Sequence, residues 1–365
     1  MSESFNSTTA TSLQDTAATP SPKRVLDVAA GLILRADGSL LLAQRPGDKP
    51  WSGWWELPGG KIETCETVLE ALARELKEEL DIEITAATPW VTYVHEYPKN
   101  IVRLAFCRVT GWHGTPTGVE GQTLAWVDPG QPLPVGPLLP ATEPPLRWLL
   151  LPDHYLLTSI GNQANLASFL KKLTLALQSG VKLVQFREPD WSAQAGALEV
   201  YAAFKQVLQC CREHKAQCLV NSVHPEAWWT EADGVHYRAS DAAALKPGAT
   251  PEIRQVPETP DVTEAPQTPV HPVTPRRLTG VSAHNAEDLV RAQLMKADFA
   301  VLGHVLETPS HPGQRALGWA EFARLSRDAG LPVFAIGGQS ASTLNEARQH
   351  GAHGIAGIRH LLAGT

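Results

Sequence analysis

The sequence predicts two domains of different fold class, a compact α+β domain followed by an α/β domain, a (β/α)8 or TIM barrel. The chain has 365 residues, which allows two or three domains at about 150 residues each. Its first half combines strand-like runs with one amphipathic helix, whereas its second half alternates apolar strands with helices. We predict domains over 25–150 and 153–365, after a disordered tail over 1–24 that lacks large apolar residues.

The first half contains strand-like runs around a single helix. VLDVAAGLIL and SLLLAQR flank Asp37-Gly38, which is typical of two strands joined by a tight turn. Residues 67–80, TVLEALARELKEEL, carry leucines at helical spacing among good helix formers. Further strands are expected at 91–97, 101–110 and 123–127. Residues 129–145, near the end of this α+β domain, are proline-rich and are expected to form a structured connector.

The second half repeats a strand followed by a helix, which favours a parallel sheet. Eight apolar runs of this kind predict the barrel. The predicted strands are 155–159, 181–187, 217–221, 233–237, 277–282, 298–303, 332–338 and 353–359. Helices are expected at 165–179, 192–213, 284–296, 318–329 and 340–350.

The stretch 247–277 interrupts this alternation with eight of the 29 prolines and no large apolar cluster. A structureless stretch of this length is typical of a disordered insert or a linker. We predict an insert between the fourth and fifth barrel strands. The alternative, a domain boundary, would leave half a barrel on either side.

Composition excludes several classes of protein. No apolar run approaches the 18 or so residues of a membrane span, so no membrane partner is expected. The five cysteines form no C-x-x-C pair, which argues against a zinc site or a disulfide framework. The N-terminus lacks the pattern of a secretory signal, so we expect a cytoplasmic protein. A net charge of −7 argues against direct nucleic-acid binding.

The strongest functional signal is a cluster of carboxylates on the predicted helix. Glu75, Glu78 and Glu79 stand at i, i+3 and i+4, so they share one helix face. Like charges at this spacing repel unless a cation lies among them. Carboxylates are the ligands that Mg²⁺ prefers. The alternative is a solvated helix face on which Arg74 and Lys77 form ordinary ion pairs.

The full spacing narrows these alternatives. The pattern G-x5-E-x7-R-E-U-x-E-E-x-G-U is matched at Gly60, Glu66, Arg74, Glu75, Leu76, Glu78, Glu79 and Ile82. The first domain therefore resembles a Nudix hydrolase, most closely the MutT type that cleaves oxidised nucleoside triphosphates such as 8-oxo-dGTP. One position departs, since Asp81 stands where the family has Gly. We expect this substitution to leave the end of the helix intact, because Asp tolerates the left-handed conformation that ends a helix.

The resemblance implies a role for each matching position. It implies Mg²⁺, with Mn²⁺ as an alternative, held by Glu75, Glu78, Glu79 and the Gly59 carbonyl. Glu120 matches a further carboxylate, a metal ligand or the general base, which completes the catalytic set. Arg74 would hold the loop and helix together through Glu66 or a carboxylate of the pattern. The positions implied for substrate binding are Arg45, Glu56, Leu57, Pro58, Gly59 and Thr142.

The implied activity is metal-assisted hydrolysis of a nucleoside triphosphate to a monophosphate and pyrophosphate. Such an enzyme removes damaged nucleotides before DNA replication, a form of DNA repair by nucleotide sanitation. Leu57 replaces an aromatic residue of the MutT pocket, and Thr142 replaces an Asn that reads the base. A hydroxyl does not offer the paired donor and acceptor of an amide. The base that is recognised therefore stays open at the level of the sequence.

The second half resembles thiamine phosphate synthase over roughly 153–360. The runs VKLVQFRE, LVNS, DGVHY, TGVSAHN, VLGHVLETPSH and PVFAIGG occur in the family's order. Three charged positions depart: Pro189 and His311 replace lysines, and Ser222 replaces a metal-binding Asp. The residues left for a phosphate ligand are Gln185, Arg187, Asn221, Asp241, Thr308, Ser310, Gly337 and Gly338.

The losses favour a degenerate barrel, because two lysines and one carboxylate that stabilise a pyrophosphate leaving group are gone. Such a barrel could bind or sense a phosphorylated, thiamine-related molecule, or serve only to stabilise the chain. The alternative is a bifunctional enzyme whose barrel still joins a thiazole phosphate to a pyrimidine pyrophosphate.

Overall fold

A computed structural model describes residues 23–47, 49–245, 277–309 and 312–362. The predicted tail and the predicted insert therefore lie outside the described residues, apart from Lys23, Arg24 and Arg277. Ser310, one member of the predicted barrel site, also lies outside them.

The first domain consists of two β-sheets and the predicted helix. Its strands are β1 Arg24–Ile33, β2 Leu40–Gln44, β3 Trp55–Glu56, β4 Gly59–Lys61, β5 Glu83–Glu96, β6 Asn100–His113 and β7 Leu124–Val127. One sheet has the order β4-β1-β6-β5, in which β1 runs parallel to β6 and the other pairs are antiparallel. The other sheet is antiparallel with the order β3-β2-β7. This arrangement is the α+β domain that the sequence predicts.

The turn after β1 forms where Asp37-Gly38 predicts it, since the Gly38 N–H donates to the Arg35 carbonyl at 3.0 Å. Beyond one bridge between Leu34 and Leu40, β1 and β2 do not pair and belong to different sheets. The reason is long-range, because β1 pairs along its whole length with β6. A local pattern indicates the turn but not the distant partner that separates the two strands.

Helix α1, Val68–Leu80, occupies the predicted position and is capped at both ends. The Thr67 hydroxyl accepts from the Glu70 N–H at 3.3 Å, and the Glu70 carboxylate accepts from the Thr67 N–H at 2.8 Å. This is a capping box, which satisfies two unpaired N–H groups of the first turn. Asp81 ends the helix in the left-handed conformation, with φ 53° and ψ 37°. The Asp thus adopts the conformation that favours Gly at this position.

The connector also acquires regular structure. A 3₁₀ turn over Pro140–Thr142 leads into α2, Glu143–Leu149, whose buried Trp148 packs in the core of the first domain.

The second half closes into the predicted eight-stranded parallel barrel. Its strands are β8 His154–Leu157, β9 Leu183–Phe186, β10 Gln217–Asn221, β11 Gly234–Tyr237, β12 Leu278–Ala283, β13 Phe299–Gly303, β14 Val333–Ile336 and β15 Gly354–Gly357. Each pairs with the next, and β15 pairs with β8 to close the ring. Tyr155, Phe299 and Phe334 fill the barrel interior with ring centroids 5.2 to 5.8 Å apart.

Helices surround the barrel, and a larger apolar core lies between them and the strands. They are α3 Gln163–Gln178, α4 Pro189–Gln194, α5 Ala197–Glu213, α6 Glu226–Trp229, α7 Ala239–Ala244, α8 Ala286–Leu294, α9 Gly318–Ser326 and α10 Leu344–Gln349. One expectation needs correction: the helix predicted over 192–213 is two helices, α4 and α5. Ala195 between them is extended, with φ −110° and ψ 164°, and ends α4. The buried Trp191 ties α4 to the core, and its indole N–H donates to Glu199 of α5.

Candidate active site

The loop before α1 requires glycine at position 59. Gly59 has φ +142°, and a Cβ there would lie 2.1 Å from the Ala29 carbonyl oxygen. The loop is fixed by the Gly31 N–H, which donates to the Pro58 carbonyl at 2.8 Å. The Gly59 N–H points to α1 and donates to Glu79 Oε2 at 3.3 Å. The backbone of Gly59 therefore lies beside one of the predicted metal ligands.

Arg74 connects this loop region to the helix, as its predicted role requires. Its Nε and Nη2 donate to the two oxygens of Glu66 at 2.8 and 3.0 Å. Its Nη1 donates to Glu75 at 2.8 Å and lies 3.4 Å from Glu78. These contacts hold the pKa of Glu66 at about 2, with the Arg74 hydrogen bonds as the main cause. Glu75 is thereby fixed in orientation, while the Glu78 side chain is 61% exposed.

The loop over 117–122 carries Glu120 to the C-terminal end of α1. The Val119 N–H and the Gln122 side-chain amide both donate to the Glu79 carbonyl, at 3.0 and 2.9 Å. Gln122 Oε1 in turn accepts from the Glu120 N–H at 2.8 Å. Glu120 is therefore placed beside Glu79, although it lies 41 positions later in the chain.

Lys49 is a functional candidate that the sequence reasoning missed. Its Nζ lies 2.5 Å from Glu120 Oε2 and 3.9 Å from Glu79 Oε1. The Glu120 hydrogen bond raises the pKa of Lys49. Burial raises the pKa of Glu79 to about 7, against the opposing effects of Gly59 and Lys49. No local motif marks Lys49; the only available signal is a lysine in the loop between an Arg and a Glu of the predicted pocket.

The arrangement of these carboxylates is compatible with a divalent cation. Within the described ranges, no three His, Cys, Asp or Glu side chains are already gathered as a metal cluster. The predicted ligands are instead held by Arg74 and Lys49. The donors are all oxygens, which suits Mg²⁺ or Mn²⁺. Glu79 is mostly buried, and neighbouring Glu120 and Glu56 disfavour its charge, so an added cation would be stabilised there.

The predicted nucleotide pocket lies next to these carboxylates. Arg45 Nη1 contacts both oxygens of Glu56, at 2.7 and 2.5 Å, and its Nε donates to the Pro50 carbonyl at 2.7 Å. Leu57 and Thr142 are buried, 6% and 4% exposed. Leu57 packs in the core, and contact of Leu57 or Thr142 with a nucleotide stays a prediction. Arg45 and Glu56 both remain partly exposed to solvent, with 20% and 28% of their side-chain surface accessible.

Two members of the predicted barrel site, Gln185 and Asn221, are hydrogen-bonded to each other inside the barrel. Asn221 Nδ2 donates to Gln185 Oε1 at 2.9 Å, and Gln185 Nε2 donates to the Tyr155 hydroxyl at 2.9 Å. Both amides are 1% exposed. His236 continues the network, with its ring nitrogens 3.1 Å from the Tyr155 hydroxyl and 3.0 Å from Ser282 Oγ. These amides therefore order the barrel core and do not line its exposed mouth.

The Asp241 carboxylate, another member of the predicted barrel site, is paired with a nearby arginine and a serine. Arg238 donates to both of its oxygens, at 2.7 and 2.8 Å, and the Ser222 hydroxyl donates at 2.5 Å. Burial opposes this, but the combined hydrogen bonds lower the pKa of Asp241. Asp241 is thus paired with the Arg238 guanidinium and bonded to Ser222, which stands where the family has an Asp.

The remaining barrel residues lie at the carboxyl ends of the strands, where barrel sites are built. Arg187 is exposed just after β9, and Thr308 follows β13. Gly337 and Gly338 follow β14 with φ +97° and +67°. A Cβ at Gly337 would lie 2.4 Å from the His304 Cβ. The paired glycines therefore permit a close approach of two loops.

Comparison with known proteins connects both halves to families. The NUDIX domain model matches residues 25–149, and the thiamine monophosphate synthase model matches 154–249 and 264–361. The latter covers more than half of the chain. The chain belongs to the Nudix and the thiamine monophosphate synthase families. Its first domain is a Nudix hydrolase domain, and its second is a synthase-type barrel.

Individual relatives agree with this division. Over the Nudix domain the chain is 41% identical to the CTP pyrophosphohydrolase of Escherichia coli, covering 34% of this chain and 90% of the relative. It is 40% identical to the 8-oxo-dGTP diphosphatase of Proteus vulgaris, covering 27% of this chain and 88% of the relative. Over the barrel it is 31% identical to the putative thiamine-phosphate synthase 2 of Aquifex aeolicus, covering 53% of this chain and 90% of the relative.

The described part of this Nudix and synthase-type chain has no helix long and apolar enough to cross a membrane.

Proposed function

We propose that the Nudix domain is a Mg²⁺-dependent nucleoside triphosphate pyrophosphohydrolase that releases a monophosphate and pyrophosphate. The observation that carries this proposal is the position of Glu79. It lies mostly buried at the end of α1, bonded to the Gly59 N–H and next to Glu120. A buried carboxylate among like charges is a place where a divalent cation is stabilised.

Four carboxylates and one carbonyl would hold the cation. They are Glu75, Glu78, Glu79 and Glu120 with the Gly59 carbonyl. When bound, Mg²⁺ or Mn²⁺ neutralises phosphate charge and lowers the pKa of an attacking water. Glu75 or Glu120 accepts the proton of that water. Arg74 positions Glu75 throughout, because it holds Glu75 and Glu66 together.

The substrate is a nucleoside triphosphate, and removal of damaged nucleotides is the proposed role. Relatives over this domain are named for CTP and for 8-oxo-dGTP, which differ in the base. Arg45 and Glu56 would supply side-chain polar contacts to the nucleotide. Pro58 and Gly59 would supply backbone groups that contact it. The buried Thr142 offers no amide to a base, so we expect weaker selection for 8-oxoguanine than an Asn would provide. The five free thiols favour a reducing, cytoplasmic location.

The deciding experiment is a panel of nucleoside triphosphates, with 8-oxo-dGTP and CTP included, assayed with Mg²⁺ for pyrophosphate release. Hydrolysis that leaves a nucleoside monophosphate is the expected result. If no nucleotide were hydrolysed while a non-nucleotide diphosphate was, the MutT-type proposal would fall.

For the barrel we propose a degenerate site that binds a phosphorylated, thiamine-related molecule. The supporting observation is Ser222, which stands where the family has a metal-binding Asp and whose hydroxyl donates to Asp241. A hydroxyl does not supply the negative charge of the missing carboxylate, so the site is poorer in ligands for the metal that a pyrophosphate leaving group requires. The described residues that would contact the phosphate are Arg187, Thr308, Gly337 and Gly338.

The competing function is an active thiamine phosphate synthase, which would make the chain bifunctional. The full chain is incubated with a thiazole phosphate, a pyrimidine pyrophosphate and Mg²⁺. We expect no thiamine phosphate, and binding of the thiazole phosphate by calorimetry. Turnover at the level of an authentic synthase would establish the bifunctional enzyme instead.

A further inference from the structure

Lys49 lies between the carboxylates and the nucleotide pocket. Its loop joins β2 to β3 and is fixed by the pocket residue Arg45. The Arg45 side chain donates to the Pro50 carbonyl at 2.7 Å, and the Arg45 carbonyl accepts from the Gly53 N–H at 3.0 Å. Both ends of the short loop are thus anchored beside the pocket. Lys49 reaches from there to Glu120, 71 positions away in the chain.

The Lys49 ammonium lies among carboxylates, where their negative charge favours a cation. It bonds to Glu120 and lies 3.9 Å from Glu79, and Glu56 also contributes an attractive charge. These acidic groups come from three different segments, β3, α1 and the loop over 117–122. Lys49 thus pairs with carboxylates of two segments and is attracted by a third, whereas Lys77 forms an exposed i,i+4 pair with Asp81.

A divalent cation and this ammonium compete for the same oxygens. Both are positive, so a metal bound at Glu79 and Glu120 would offset the negative charge that attracts the ammonium and would repel it. A metal at these carboxylates would therefore release the Lys49 ammonium. The triphosphate is the polyanion that would then lie nearest to it, since the pocket anchors its loop.

We propose that Lys49 is a positioning residue that exchanges partners. It holds Glu79 and Glu120 together before the metal binds, yields them to the metal, and then binds the phosphates of the nucleotide. The inference rests on the proposed function of the Nudix domain. Its consequence is positive coupling, in which metal and nucleotide each strengthen the binding of the other.

The test measures binding as well as turnover. Mn²⁺ is titrated calorimetrically into the full chain and into K49M without nucleotide. Non-hydrolysable α,β-methylene analogues of CTP and dGTP are then titrated at saturating Mn²⁺. In K49M we expect Mn²⁺ to bind about fivefold more tightly, and the better-binding analogue about tenfold more weakly. K49R, which keeps the positive charge, should restore most of the analogue affinity.

K77M is the matched control, because it removes the same charge from an exposed lysine of α1 that pairs with Asp81 and Glu83 and not with the predicted metal ligands. It should leave both affinities as in the wild-type chain. If K49M and K77M behave alike in either titration, the exchange of partners is wrong.

The outcomes separate this inference from the proposed function. A wild-type chain that binds Mn²⁺ and hydrolyses nucleotides, with K49M unchanged in binding, overturns only the role of Lys49. A wild-type chain that neither binds Mn²⁺ nor hydrolyses any triphosphate overturns both.

Discussion

Arg108 of β6 and His353 before β15 form a buried contact between the two domains. The guanidinium donates to the His353 carbonyl and to its ring Nδ1, both at 3.0 Å. Nδ1 can accept only when the ring is neutral, which leaves the proton on Nε2 to be donated to the Leu151 carbonyl at 3.0 Å. Trp90 covers the guanidinium, with 4.4 Å between Cζ and the ring centroid. One neutral imidazole tautomer therefore links the Nudix sheet to the barrel.

We expect R108A to destabilise the chain by about 2–4 kcal/mol, because it leaves buried acceptors on His353 unsatisfied and removes packing against Trp90. Urea unfolding of the full chain measures the effect. R103A is the control, since Arg103 lies on the same strand but forms an exposed ion pair with Asp27. Its cost should stay within about 1 kcal/mol. Equal costs for the two variants would contradict the importance of the domain contact.

The same contact predicts a loss of stability in acid. Burial, and then Arg108, lowers the pKa of His353 from 6.5 to about 3. Above pH 6.5 both folded and unfolded chains carry neutral imidazole, so the full contribution is present. Between pH 6.5 and 3 only the unfolded chain takes up the proton. Stability therefore falls by up to about 1.4 kcal/mol per pH unit from this group.

H353N tests this pH dependence, because an amide oxygen can still accept from Arg108 but does not titrate. Its unfolding free energy should fall less steeply between pH 6.5 and 4.5 than that of the wild-type chain. H113N, at an exposed histidine of the first domain, should keep the wild-type slope. If H353N also kept that slope, His353 would not be the group responsible.

Gly59 should not tolerate a side chain. G59A would place a Cβ 2.1 Å from the Ala29 carbonyl oxygen in a backbone with φ +142°. We expect a loss of more than about 2 kcal/mol and of nucleotide hydrolysis, since the loop holding Glu79 must shift. G38A is matched in positive φ, at +87°, but its Cβ would meet nothing within 4 Å. It should cost about 1 kcal/mol and leave hydrolysis intact; equal losses would refute the steric account.

E79Q should abolish pyrophosphate release while the fold persists. The amide keeps the shape but removes the charge that a divalent cation needs. Calorimetry should show lost Mn²⁺ binding, and far-ultraviolet circular dichroism should be unchanged. E83Q, at an exposed residue beyond α1, should retain both. Near-normal pyrophosphate release by E79Q would contradict the assignment of Glu79 to a metal site.

Local patterns predicted much of this molecule. The helix bearing Glu75, Glu78 and Glu79, the turn at Asp37-Gly38 and the eight barrel strands all depend on spacing within short segments. Pairings between distant segments were less predictable. The parallel pairing of β1 with β6 and the division of the helix over 192–213 depend on contacts that no local period encodes.

The sequence by itself determined the two fold classes and the carboxylate face of α1. Helical periodicity fixes which side chains share a face, and the alternation of strand and helix fixes a parallel barrel. Only the tertiary structure placed Lys49 beside Glu120, joined Ser222 to Asp241, and buried Arg108 against His353. Contacts between residues far apart in the chain depend on how sheets, helices and loops pack together, and buried charges must then find partners there. Which cation meets which carboxylate is therefore decided by packing.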